Sequence, residues 1–206
     1  SGRRAWHSEL SSIDTALLIA GVLTAATYFD GRGRAEGEIR ALARLLYERV
    51  DWDWMRAGGD TLCHGWRPEQ GFLPYRWEGY DEALVLYLLA LGSPTHPIQP
   101  SSYEAWCDTY EWKRIYDIEY LYAGPLFTHQ LSHIWCDFRG IRDRFMCEHD
   151  SDYFENSRRA TQIQQQYAMR NPLAFAHVGE NCWGLTASDG PGFETRTIAG
   201  VERVFF

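Results

Sequence analysis

Lysine is almost missing from this chain. Lys113 is the only one, and every other basic side chain is Arg. No Lys/Arg-rich block occurs, and the net charge is −8 with a pI near 5.3. That balance argues against a general nucleic-acid binder, which presents a basic face. Long apolar runs are missing too. The longest, Ala16 to Ala26, is too short to cross a bilayer, and no secretory signal is visible. No membrane contact is expected of this segment itself, although a larger parent protein could be membrane-bound. The five cysteines, Cys63, Cys107, Cys136, Cys147 and Cys182, follow neither a CxxC nor a zinc spacing. They read as mostly buried thiols, which suits a reducing compartment; a cytoplasmic or a periplasmic location fits. There is no G-x-S-x-G, no phosphate loop and no dinucleotide fingerprint, so no cofactor is expected. No fixed-period repeat occurs.

Aromatic residues are abundant: nine Trp, twelve Tyr and ten Phe among 206 residues. Such rings fill a core well, but they also stack on the flat C–H faces of sugars. An acidic, Trp-rich chain therefore fits a carbohydrate reader as well as an aromatic core. The length suits one domain spanning 1–206. The chain begins on Ser1 and stops on Val204-Phe205-Phe206. Two terminal aromatics suggest a severed interface, so the domain is expected to be incomplete at both ends.

Periodicity predicts helical hairpins joined by long loops. Ser11 to Phe29 reads as a helix capped by Ser11 or Ser12 and ended at Asp30-Gly31. Ala35 to Val50 is a second helix, with Ile39, Leu42, Leu45, Leu46 and Val50 on one face. The Gly- and Trp-rich segment Asp51 to Trp77 predicts a short β-hairpin or a long loop. Tyr80 to Leu91 is apolar nearly all round, as an inner helix would be, and stops at Gly92-Ser93-Pro94. Ser101 to Thr109 is a short helix, and Glu111 to Ala123 is loop with a short strand. Pro125 to Phe138, Tyr153 to Asn171 and Asn181 to Ala187 complete the predicted helices. A turn follows at Ser188-Asp189-Gly190-Pro191-Gly192. The expected class is all-α, either an α/α toroid or an irregular bundle, with the hairpin or loop as an insertion.

Glycoside cleavage needs a carboxylic acid to protonate the leaving oxygen, and a carboxylate acting as nucleophile or base. In Arg76-Trp77-Glu78-Gly79-Tyr80-Asp81-Glu82, three acids crowd the start of the apolar helix. Simple capping accounts for acids in a first turn. Apolar surroundings would also raise the pKa of Glu82, as an acid catalyst requires. Asp14 stands in the first turn of the first helix, with the same two readings. Glu180-Asn181-Cys182-Trp183 and the turn after it mix Gly, acid, amide and Trp, which suits sugar hydroxyls and ring faces as well as a plain turn. His129 and His133 stand four apart, followed by Asp137. They could hold a metal, but hydrogen-bonding histidines are the preferred reading, and no metal is expected.

The same segments carry a family resemblance. Glu9 to Leu18, Gly79-Tyr80-Asp81-Glu82-Ala83, Leu91 to Pro97, Ala123 to Phe127, Gln130 to His133, Asp137 to Ile141, Asp152 to Ser157 and Glu180 to Pro191 resemble, in order, the glycoamylase-like domain. That family includes bacterial endo-β-1,2-glucanases and the transglycosylating region of cyclic β-1,2-glucan synthases. The resemblance implies an (α/α)6 toroid with a cleft at one end, of which this chain holds about half the helices. It also implies a β-glucan oligosaccharide or polysaccharide as substrate. By position, Glu82 resembles the family's acid catalyst, and Asp14 falls where a cleft carboxylate stands. Trp77, Tyr80, Arg139, Glu180, Trp183 and Asp189 resemble the cleft lining. A further cleft acid is expected beyond Phe206. The alternatives are a non-catalytic carbohydrate-binding domain and an α-glucan hydrolase of the glucoamylase type.

Overall fold

A computed structural model describes residues 4–187, 194–198 and 200–205. The predicted turn at 188–192, with Asp189, and the terminal Phe206 lie outside them. Among the described residues helix accounts for 42% and strand for 14%, so the fold is helix-rich rather than purely α. The chain divides into two compact units, Ser1–Glu111 with Ser132–Asp137 and Trp112–Leu131 with Phe138–Phe206.

The first unit is built on a helical hairpin. Helix α1 (Ser12–Tyr28) starts where Ser11 turns its hydroxyl onto the Asp14 amide at 3.1 Å. Helix α2 (Arg34–Glu48) follows a short turn and packs on α1. Ala16, Ile19 and Ala20 are the buried apolar positions of α1; the two alanines let neighbouring helices approach closely, and Ile19 fills the space between. Helix α3 (Leu84–Leu91) is the inner element, with Leu84, Val85, Leu86, Tyr87 and Ala90 all buried. Helix α4 (Pro100–Cys107) starts with Pro in its first turn, where a missing N–H costs nothing.

A small antiparallel sheet stands at the start of α1. Strand β1 (Leu10–Ser11) pairs with β2 (Gly65–Arg67), and β2 pairs with β3 (Gly71–Phe72). Gly65 is required there. A Cβ at this position would sit 2.7 Å from the Leu10 carbonyl oxygen, so a larger residue would push β1 off β2. This sheet is the predicted hairpin between Asp51 and Trp77, extended by a strand from the N-terminal side.

The second unit pairs β4 (Trp112–Ile115) with β5 (Ile118–Leu121) through Tyr116 and Asp117, both at positive φ, as a tight two-residue hairpin turn demands. Helix α5 (Arg144–Glu148) is capped by Asp143, and α6 (Tyr153–Arg170) by Asp152. Helix α6 packs on β5, and Tyr120, Leu126, Ala160 and Ile163 form the core between them. The unit ends in the hairpin β6 (Glu194–Ile198) and β7 (Val201–Phe205).

Several sequence expectations are corrected. Helix α3 starts at Leu84, not Tyr80. Gly79 adopts a φ of 75°, and it is clamped by the Thr109 hydroxyl on its N–H and the Trp106 indole on its carbonyl. Asp81 then takes the Ala83 amide at 2.9 Å, closing a local turn in place of a first helical turn. The segment from Pro125 to Phe138 is not one α-helix but two 3₁₀ turns, Leu126–His129 and Leu131–Ile134. Residues 181–187 are irregular, and Gly184 at a φ of 102° breaks any helix there. The cysteines are not mostly buried: Cys63 and Cys107 are, Cys136 is half-buried, and Cys147 and Cys182 are exposed. Among the described residues no helix is long and apolar enough to cross a membrane.

Candidate functional site

In the first unit an open cleft of about 460 Å³ is lined by His64, Pro74, Tyr75, Arg76, Trp77, Glu78 and Asp81. Its wall is built by chain pairing around β2. The Cys63 and Arg76 backbones form an antiparallel bridge, the His64 amide donates to the Tyr75 carbonyl at 3.0 Å, and the Trp77 amide donates to the Leu62 carbonyl at 2.9 Å. This pairing lays the His64 ring on the Trp77 indole, with centroids 4.0 Å apart and planes 27° apart. Trp77 is 6% exposed. Its indole N–H donates to the Ser12 hydroxyl at 2.8 Å, and that hydroxyl donates onward to the Cys63 carbonyl at 2.7 Å. One buried serine thus fixes the start of α1, the strand before Gly65 and the indole edge together.

Glu78 and Asp81 are the acids of the lining, and Glu82 follows Asp81 in the chain. Asp81 is half-buried, and burial pushes its carboxyl up to about 8, with the neighbouring Glu82 charge adding to the shift. Glu82 is half-buried too, and burial raises its pKa above the ordinary carboxylate range. Both follow from desolvation, which disfavours the charged form. The Ser132 hydroxyl donates to the Glu82 backbone carbonyl at 3.2 Å, and the Ser132 hydroxyl oxygen accepts the Val85 amide at 3.1 Å. The acids are therefore held at a fixed entry into α3. Arg76 donates to the carbonyls of Arg56 and Thr61, which anchors it in the cleft wall.

The structure thus brings Trp77, Glu78 and Asp81 to one cleft, with Glu82 directly following. Asp14 is exposed in the first turn of α1, two residues after the Ser12 that holds Trp77. Tyr80 does not line the cleft. It is 5% exposed and packs against Trp106 and Tyr110, inside the aromatic core. In the second unit, Arg139 is exposed, with its guanidinium 5.4 Å from the Phe154 ring. Glu180 is exposed in the turn closed by the Gly179–Cys182 bridge, and Trp183 is 39% exposed. The remaining predicted position, Asp189, lies outside the described residues.

His129 is buried within a polar network. One ring nitrogen meets the Ala123 carbonyl at 3.1 Å, and the other meets the Asn156 amide at 3.3 Å. Asn156 in turn pairs with both backbone groups of Leu121. His129 and His133 fall on separate 3₁₀ turns, so they do not share an α-helical face. Among the described residues no group of three His, Cys, Asp or Glu is placed to hold a metal.

Sequence reasoning missed His64 and Ser12. Ser12 looked like a cap, and its buried partners lie 51 and 65 residues away. His64 meets Trp77 only across the folded-back chain, so no local spacing marks the pair.

Residues 74–202 match the sequence model of the Glycoamylase family, whose description reads "Putative glucoamylase". The chain is 29% identical to an exo-β-1,2-glucooligosaccharide sophorohydrolase acting at the non-reducing end, from Parabacteroides distasonis, over 86% of this chain and 28% of that protein. A crystal structure from Bacteroides fragilis carrying the same description as the family superposes with a TM-score of 0.80 at 32% identity, over 88% of this chain and 45% of that one. An endo-β-1,2-glucanase from Chitinophaga pinensis, solved with sophorotriose and glucose, superposes with a TM-score of 0.75 at 28% identity, over 88% and 45% respectively. The chain therefore spans less than half the length of these relatives.

Proposed function

The chain belongs to the Glycoamylase family, and on that premise we propose that it forms part of an (α/α)6 toroid that cleaves β-1,2-linked glucan, by hydrolysis or by transfer. The observation that carries this reading is the pair of half-buried carboxyls, Asp81 and Glu82, set before an inner helix beside an aromatic-walled cleft, with burial raising the proton affinity of both. The names of the relatives support the β-1,2 linkage.

Glu82 is the proton donor to the leaving glycosidic oxygen. A group in this role must hold its proton and release it in the transition state, and desolvation shifts Glu82 in that direction. A second carboxylate acts as nucleophile or activates water. Asp14 is the candidate for it within this chain. Trp77 contributes to the apolar wall against which sugar C–H faces pack, while Tyr80 serves from within the core. Arg139, Glu180, Trp183 and Asp189 are proposed as sugar-contacting residues on the strength of motif position.

One observation favours a second assignment of the donor. Asp81, not Glu82, lines the open cleft, and its pKa is pushed up to about 8. The variants Glu82→Gln and Asp81→Asn separate the two, because only the true donor's loss is selective for substrates with poor leaving groups.

The test is product analysis by mass spectrometry after incubating the full-length protein with linear β-1,2-glucan, beside α-1,4-glucan. Short β-1,2 oligosaccharides or rings are expected, and their form separates hydrolysis from transfer. Glucose released from the α-glucan alone would overturn the linkage.

A further inference from the structure

We infer that His64 is a substrate-contacting residue of this cleft, its imidazole accepting a hydrogen bond from a sugar hydroxyl at the aromatic wall. This rests on the glucan-cleaving reading above and adds a binding residue to it.

Both rings line the cleft, but Trp77 is 6% exposed with one face against the imidazole, whereas His64 is half-buried. The imidazole is therefore the more accessible ring of the pair. The backbone of His64 is held from both sides. Its amide donates to the Tyr75 carbonyl at 3.0 Å, and its carbonyl accepts the Ser12 amide at 2.9 Å and the Ser12 hydroxyl at 3.1 Å. Little ordering is left to complete on binding, which favours affinity.

The ring chemistry follows from the imidazole itself. Whichever tautomer it takes, neutral imidazole keeps one N–H donor and one nitrogen with a lone pair. Burial lowers the pKa of His64 from its ordinary value, which favours this neutral form. The other polar groups of the cleft differ from it: Glu78 and Asp81 are carboxyls, the Tyr75 phenol is an exposed hydroxyl on the rim, and the Arg76 guanidinium is engaged by backbone carbonyls. His64 supplies a neutral acceptor on an apolar surface, the combination that orients a sugar hydroxyl while its C–H face packs.

The test is calorimetric titration of the full-length protein with β-1,2- and α-1,4-linked gluco-oligosaccharides, comparing the parent with His64→Phe and His64→Gln. Phe keeps the stack on Trp77 and removes the acceptor, so affinity should fall about tenfold, as expected for one lost hydrogen bond. Gln restores an acceptor and should recover most of it. KM for the bound glucan should rise by the same factor, with kcat within about twofold. Affinities within twofold of the parent in both variants would overturn the assignment of His64 alone. A parent that binds neither glucan would overturn the underlying reading together with it. If His64→Phe does not melt cooperatively, ring-nitrogen NMR of the parent decides: the His64 resonances move on adding the oligosaccharide, and unmoved resonances sink the proposal.

Discussion

Two helices of the first unit begin beside acids, and they begin differently. At α1 the Ser11 hydroxyl caps the Asp14 amide, and Asp14 itself stands in solvent. At α3 no side chain caps Ala83 from that position. Instead Asp81 reaches forward to the Ala83 amide, and both Asp81 and Glu82 are drawn into apolar surroundings. Both places satisfy the rule that helix starts favour negative charge. At α3 burial makes the charge itself costly. Position at a helix start therefore does not make an acid catalyst; desolvation does, and it is supplied by tertiary packing.

The largest effect should come from the buried start. Glu82→Gln in the full-length protein should lower kcat by about 10²–10⁴-fold, the range of general-acid catalysis, with an unchanged melting transition. Turnover within tenfold of the parent would remove the donor role and leave Asp81 as its holder. Asp14→Asn comes next, with a loss of about ten- to a hundredfold in kcat/KM if the exposed carboxylate serves as second group. Parity with the parent would confine Asp14 to the helix start.

Asp81→Asn sharpens the comparison through stability. The folded carboxyl holds its proton up to about pH 8, whereas the unfolded one releases it near 3.8. The raised value means the contribution is fully present below pH 3.8 and is lost as pH rises through 8. The Tm advantage of the Asn variant over the parent should therefore grow from pH 4 to pH 8 and then level off. A difference independent of pH would show that Asp81 ionises freely. The smallest effect belongs to the solvated start: Ser11→Ala should cost about 1 kcal/mol, roughly 2–4 °C in Tm, with no pH dependence between 5 and 8.

The periodic parts of this chain were legible before any coordinates. Helices α1, α2, α4 and α6 fall within about two residues of their apolar patterns and caps, because the signals that set them are local. The start of α3 was not legible, since Asp81 and Glu82 ahead of the apolar run suit a first helical turn and the clamps on Gly79 come from Thr109 and Trp106. The 3₁₀ turns around His129 were hidden for a similar reason: Leu126, Phe127, Leu131 and Ile134 have helical spacing, but Asn156 and the Ala123 carbonyl dictate where the histidine sits. The β6–β7 hairpin was overlooked despite a visible signal, the β-branched run Thr195, Thr197, Ile198, Val201 and Val204 around Gly200. In the site, the acids were legible as residue types crowded at one helix start. The upward shift of their pKa was foreseeable only for Glu82, and the histidine beside Trp77 depended on chain folding back across the sheet.

The hydroxyl of Ser12 has a consequence for how such a protein can diverge. One oxygen ties together the beginning of α1, the Cys63–His64 segment leading into β2 and the indole of Trp77. A lineage that replaces the indole strands the hydroxyl, and one that replaces the serine strands the indole N–H. The two positions should drift in concert or not at all, while neighbours such as Tyr75, exposed on the same rim, remain free to explore new sugars. Inheritance of the wall and variation of its rim are thus separated by a single atom.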